Sequence, residues 1–472
     1  MATTGTLRTW QPRGTAPSVA ATEAHDPSLH RARAAFLGLL VFTGVVYGRP
    51  QDYSKLAEGI HLAQLVVGAT GLIYLFTLLR GKAPMQWSTE LKLVLGLTFW
   101  FAAGIPFAFW RGGSFTTFTS EWMRTVIIFF LLTQTVFTLD RVRKLMWVIL
   151  SCELLVSLMT IINPDTLKVE MGGRLIGTGA GFLSGNNLGI AAATTLPYIA
   201  ALVVLSKSWF RAILLFSTFA LVMWMVVLTA SRASLIAIFF SLGLVWVMVL
   251  RDSFKARLIG LVFLAAIALA MANAPASFWE RISTIWAEES YATSSAAASA
   301  GASEYQRKAL FWRSVRATLE NPILGLGLMN FQNWSKEVTG SVLEMKGTHN
   351  TYTQIASEAG IPALLMFISL LFVCLRNMWR INRFSRSHAG HAELGLLARA
   401  TFVSLVCFMF TAFFAHLGYD CFLYYLAGMG VALESVHQRV RSKTGGTPAS
   451  PEPASRFGNG AHLNGRLRSR FA

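Results

Sequence analysis

The sequence predicts an all-α integral membrane protein, with about twelve transmembrane helices and one long extracytoplasmic loop containing short helices. Three observations lead there. Of 472 residues, 54% are hydrophobic and 14% charged, whereas a soluble domain is nearer a quarter charged. The apolar residues fall in runs of about 20, the length that crosses a bilayer as a helix. Backbone in lipid must also satisfy its own hydrogen bonds, which favours helices packed as a bundle.

The elements follow in chain order. Residues 1–32 are polar, with Thr, Pro, Ala and scattered Arg, and read as a disordered cytoplasmic tail without a signal-peptide h-region or cleavage site. Residues 33–274 hold nine apolar runs, at about 33–47, 59–79, 91–110, 122–138, 145–162, 186–205, 210–229, 233–250 and 258–274. Residues 275–349 are the long loop. Three more runs, at about 351–375, 396–417 and 420–437, fill 350–437, and 438–472 read as a basic, disordered cytoplasmic tail. Within the loop, 275–291 read as an amphipathic interfacial helix and 292–303 (ATSSAAASAGAS) as a flexible connector or lid hinge. Residues 304–320 have helical periodicity that Asn321-Pro322 stops, and 325–331 (GLGLMNF) read as a turn. Thr351-x-x-Gln354 fits a capping box that starts the tenth span just after His349.

Charge sets the orientation. With the N-terminus in the cytoplasm, every short cytoplasmic loop is basic, among them Arg80/Lys82, Arg141/Arg143/Lys144, Lys207/Arg211 and Arg251/Lys255/Arg257. Both termini are therefore expected inside and 275–349 outside. The net charge of +18 is then explained by anionic lipid headgroups, and a nucleic-acid partner is unnecessary. The four cysteines lie in or beside apolar runs and read as buried thiols, with no zinc-like spacing.

Four outer stretches carry chemistry-bearing residues. They are GRLIGTGAGFLSGNNLG with Arg174, LTASRASL with Arg232, YQRKALFWR with Arg307, Lys308 and Arg313, and the pair His349-Asn350. Each has a bland reading alone: a glycine-rich connector, a snorkelling arginine, a solvated basic face, a polar helix cap. Together they gather guanidinium groups and one imidazole on one side of a membrane. Arginine suits bidentate phosphate recognition, and histidine can take a proton near neutral pH. No DxD motif or compact carboxylate cluster accompanies them, so no magnesium site is expected. The pattern points to metal-free chemistry beside a lipid-linked phosphate or diphosphate, with arginines holding the leaving group and histidine deprotonating an acceptor hydroxyl.

In order, RLIGTGAGFLSGNN, LTASRAS, an Arg followed by Trp with ENPILGLGLMNF, and HNTYTQIASEAGIPALL resemble the bacterial O-antigen ligase and O-antigen polymerase superfamily. The resemblance covers about 170–370 and is only topological elsewhere. It implies a multi-pass protein of the bacterial inner membrane with its active site facing the periplasm. It also implies transfer of a preassembled glycan from undecaprenyl diphosphate to a lipid- or protein-linked hydroxyl, with no metal, nucleotide sugar or other cofactor. Carried over by motif, His349 is the catalytic base, Arg232, Arg174 and Arg307 bind the diphosphate, and Asn350 orients the base or a sugar. Arg307 and Trp312 are five residues apart where many relatives have four, so Lys308 competes with Arg307 for that role.

Glu153, mid-span, is expected to face the bundle interior as a structural hydrogen bonder. His416 and Asp420, at the outer end of the last hairpin, can line the same cavity, and Arg49 and Lys55 can add to its field. A polymerase would use the same donor site. A transporter or flippase would need midplane charges and paired repeats, and the sequence carries one midplane carboxylate and no evident repeat.

Overall fold

The computed structural model describes residues 32–48, 50, 62–81, 85–162, 168–170, 174–176, 185–229, 231–252, 254–283 and 295–444. Arg49, Lys55, most of both tails and the 284–294 stretch lie outside the described residues.

The chain is a helical bundle. Its first part comprises α1 (Arg33–Gly48), α2 (Leu62–Leu79), α3 (Thr89–Gly104), α4 (Arg111–Thr117), α5 (Met123–Thr135) and α6 (Leu139–Ile162). One antiparallel ladder interrupts the all-helical expectation: β1 (Lys168–Glu170) pairs with β2 (Arg174–Ile176), with Glu170 opposite Arg174. Then come α7 (Gly185–Leu205), α8 (Trp209–Leu228), α9 (Arg232–Val245), α10 (Phe254–Ala272), α11 (Ala276–Ser283), α12 (Ser295–Glu320) and α13 (Phe331–Thr339). The chain closes on α14 (Thr351–Arg386), α15 (Ala392–Thr411) and α16 (Cys421–Thr444).

Among the described residues, seven helices are long and apolar enough to cross a membrane: α2, α3 extended to Phe107, α8, α9 extended to Leu250, α10, α14 and α15. This supports a multi-pass membrane protein and is fewer than the twelve runs. α1 and the 189–205 part of α7 are apolar but shorter. The run at 122–138 yields the 13-residue α5. α6 begins with Asp140, Arg141, Arg143 and Lys144, and α16 continues to Thr444, past the expected end at 437, through Glu434, His437 and Arg439.

Two proline-broken helices organise the core. Pro197 inside α7 has no N–H for the carbonyl of Ala193, four residues back. Ser241 of α9 supplies a hydroxyl to that carbonyl at 2.6 Å, and Ser404 of α15 donates to the neighbouring Thr194 carbonyl at 2.7 Å. The cost of proline in an apolar helix thus becomes two interhelical ties. Higher up, α7 and α9 cross closely: a Cβ on Gly189 would lie 2.0 Å from the Ser234 side chain.

The second break is in α14, where Gly360 takes φ 81°, ψ 173° and Pro362 follows. The freed groups find partners in the 321–327 segment. Leu326 N donates to Ser357 O (2.9 Å), Gly327 N to Glu358 O (2.8 Å), and Ile361 N to Pro322 O (2.8 Å). Trp100 Nε1 donates to Ala359 O at 2.9 Å. A Cβ on Gly360 would sit 1.9 Å from Ile323 O. The ENPILGLG and SEAGIP stretches are therefore two halves of one clamp.

Two local expectations are corrected. From Ser295 onward the small-residue stretch is not a connector but the first turns of α12, as its alanines, the strongest helix formers, allow. Thr351-x-x-Gln354 is not a capping box. Asn350 is the N-cap, its Oδ1 accepting from Tyr352 N (2.9 Å) and Thr353 N (3.1 Å). Thr351 and Gln354 are occupied elsewhere, accepting from Leu417 N and Gly418 N at 3.1 and 3.0 Å.

Candidate active site

The junction of α8 and α9, the start of α14 and the end of α15 lie at one end of the bundle. α11 packs against the adjoining ends of α8 and α9: Phe278 and Ile282 are buried against Val227 and Leu235, while Trp279 is 44% exposed. This agrees with the amphipathic reading of 275–291 for its first part. Ser231 caps α9, accepting from Ser234 N at 3.3 Å, and Arg232 is the first helical residue. Its guanidinium therefore lies at a helix N-terminus, where backbone N–H groups and the helix dipole favour an anion.

α12 lies across this end. It buries Leu310, Ser314 and Ala317, two of which pack with Leu326, Phe331 and Trp334. The adjacent face presents Arg307, Lys308, Phe311 and Trp312 to a cavity. Arg313, one of the sequence candidates, is not part of that face. It pairs with Glu344 and braces the 342–344 turn.

The cavity measures about 440 Å³, within the range of small-molecule sites. Arg232, Arg307, Lys308, His349 and Asn350 line it, with Thr348 and an aromatic wall of Phe311, Trp312, Phe413 and Phe414. Three cations and no carboxylate line it, so an anion is favoured there. The geometry brings together four of the five sequence candidates and admits both Arg307 and Lys308. Arg174 opens β2, which approaches α7, and its side chain lies outside the described residues. Phe413 and Phe414 were missed; they read as ordinary membrane-helix residues. Phe413 is 56% exposed although it stands beside polar groups.

His349 is held in the left-handed region at φ 51°, one of three such non-glycine residues among those described. Histidine enters that region more readily than most residues. Thr348 Oγ1 donates to Asn350 O at 2.9 Å across the turn. Burial pulls the His349 imidazole from 6.5 down to about 4, helped by His416, Arg307 and Lys346. The ring is thus neutral at physiological pH, with a nitrogen lone pair available. Desolvation is the larger cause of that shift, and the nearby positive charges add to it. His416 packs behind it, ring centroids 5.3 Å apart. Asp420 instead accepts from Phe422 N (3.1 Å) at the start of α16. Glu153 is buried in α6 and faces the bundle interior as expected, with the Thr195 hydroxyl of α7 beside its carboxyl group.

No curated protein matches the chain. A family model described as O-antigen ligase matches residues 217–368. That span takes in the α8–α9 turn, α12 and the start of α14, and leaves Arg174 outside. Over residues 217–368, which contribute Arg232, Arg307, Asn350 and His349 to one cavity, the chain is similar to the O-antigen ligase family.

Proposed function

We propose that the protein is a membrane glycan transferase of the O-antigen ligase type. It moves a preassembled glycan from undecaprenyl diphosphate to an acceptor hydroxyl on a lipid or protein, on the outer face of the bacterial inner membrane. The observation that carries the reading is the shared cavity, in which a neutral imidazole stands among Arg232, Arg307 and Lys308. The full topology of the proposal has twelve crossings, both termini in the cytoplasm and residues 275–349 in the periplasm. Cysteine labelling at Ser295 in intact cells tests it, and a functional protein inaccessible there overturns the orientation.

In the proposed reaction the acceptor O–H gives its proton to His349. The acceptor oxygen attacks the anomeric carbon of the donor sugar, and the bond from that carbon to the diphosphate oxygen breaks with both electrons leaving on oxygen. Arg232 and Arg307, with Lys308 beside them and Arg174 as a fourth cation, stabilise the charge that develops on the leaving group. His349 then releases its proton to water. No metal or other cofactor enters this scheme. Single displacement predicts inversion at the anomeric carbon.

The test is transfer in reconstituted membranes with a defined polyprenyl-diphosphate glycan, comparing wild type with His349→Ala and measuring donor binding separately. General-base loss lowers the rate by about 10²–10⁴-fold while donor binding stays intact. Wild-type turnover in the alanine variant overturns the assignment. A deletion strain separates ligase from polymerase, since loss of attachment with polymer retained is the ligase outcome.

A further inference from the structure

A general base usually has a third group that fixes its ring, most often a carboxylate on the second nitrogen. Among the described residues no hydrogen bond or ion pair holds the His349 ring. Its aromatic neighbour is His416, at 5.3 Å between centroids and 80° between planes. That is the edge-to-face arrangement that aromatic rings prefer.

His416 sits on a well-tied link. Thr351 N donates to Ala412 O at 2.8 Å, and Thr351 Oγ1 donates to Ala415 O at 2.8 Å while accepting from Leu417 N at 3.1 Å. Gln354 Oε1 accepts from Gly418 N at 3.0 Å, Tyr424 OH donates to Gly418 O at 3.1 Å, and Thr125 Oγ1 donates to Tyr419 O at 3.0 Å. The residues that hold this link, Thr351 and Gln354, belong to the helix that His349 precedes. On its other side the ring rests against the chain just before the base: a Cβ on Gly347 would lie 3.1 Å from the His416 Nε2. Both rings are thus referenced to one scaffold.

We propose that His416 is a positioning residue for His349: packed edge-to-face on the 412–420 link, it fixes the direction in which the base presents its nitrogen to the cavity. The inference rests on the glycan-transfer reading above. His416 Nδ1 is buried without a partner, so a phenyl ring there keeps the packing and removes an unsatisfied polar atom. The charged and titratable groups about the base are Arg307 and Lys308 of α12, Lys346 of the preceding turn, Arg232 of α9 and His416 itself.

The experiment compares His416→Ala, His416→Phe, Gly347→Ala and His349→Ala in the full-length, reconstituted protein. Single-turnover rate, donor KM and the acid limb of the pH–rate profile are read for each. His416→Ala is expected to lower the rate between about 10- and 100-fold, the range for a base displaced by part of an ångström, with donor KM within about twofold of wild type. Its acid limb moves up towards the ordinary histidine value, because the opened space lets water reach His349. His416→Phe retains at least half of the wild-type rate and the wild-type limb. Gly347→Ala, which presses on the His416 edge with both histidines present, loses rate without a change in donor KM. A wild-type rate and limb in His416→Ala overturns the positioning role, as does a His416→Phe variant as slow as the alanine. Wild-type turnover in His349→Ala instead overturns the base assignment beneath it, so the two failures are distinguishable.

Discussion

The pH dependence of transfer is the most quantitative consequence of the cavity. An imidazole at its ordinary 6.5 is about one quarter neutral at pH 6.0, whereas one held at about 4 is about 99% neutral there. A base of the first kind makes the single-turnover rate fall about fourfold between pH 8.0 and 6.0. A base held at about 4 leaves it flat over that interval and brings the fall only near pH 4 to 5. The direction follows from the cause: burial and nearby positive charge disfavour the protonated ring, so more acid is needed to silence it. Arg307→Gln removes one of those charges, and the limb should move to higher pH. The assay is rapid-quench transfer at donor well below KM, where the profile reports the unliganded enzyme, with membrane integrity and donor binding checked at each pH. A fourfold loss by pH 6.0 in the wild type, or a limb that stays in place or moves down in Arg307→Gln, refutes the desolvated-base account.

Three further outcomes can be measured with the same preparation. Arg232→Ala should nearly abolish transfer and Arg232→Lys restore only part, because lysine keeps the charge but loses the planar fork; equal rates in the two variants would exclude bidentate binding. Asn350→Ala removes the α14 N-cap at a cost of about 1 kcal/mol and should lower both thermal stability and rate, whereas Asn350→Asp, which also caps, should recover the stability. Gly360→Ala places a Cβ on Ile323 O and a side chain at positive φ; strain of about 1–3 kcal/mol or more should appear as a lowered melting temperature and a disordered cavity, and a variant as stable as wild type would show that the clamp yields easily.

Much of this was legible in the sequence because hydropathy and arginine placement are local signals. The ends of α1 and α8, and of α9 with its extension to Leu250, fall within a residue or two of the apolar runs, and the SRAS and HN stretches point to Arg232 and His349, which line one cavity. What escaped is long-range. Nothing near Gly360 says that residues 321–327 will supply its missing hydrogen-bond partners, and nothing near Phe413 says that a polar cavity adjoins it. Thr351 and Gln354 have capping-box spacing, yet tertiary bonds to the 412–420 link take both side chains, and Asn350 caps instead. Arg313 and Arg307 are alike in composition and separated by helical phase, so only the packed position of α12 tells the strut from the cavity cation.

The Gly360 clamp also bears on biogenesis. Beyond Pro362 the helix runs without a break to Arg386, so its backbone groups are satisfied within it. The nine residues before Gly360 are different: their carbonyls at Ser357, Glu358 and Ala359 are satisfied by Leu326, Gly327 and Trp100, groups far away in sequence. That short helix, with His349 at its head, can reach its final place only after the 321–327 segment has docked and α3 has assembled beside it. Crossing the membrane and completing this end are thus separable events, and a chain can have its other helices in place while the end that carries the proposed base is still unmade.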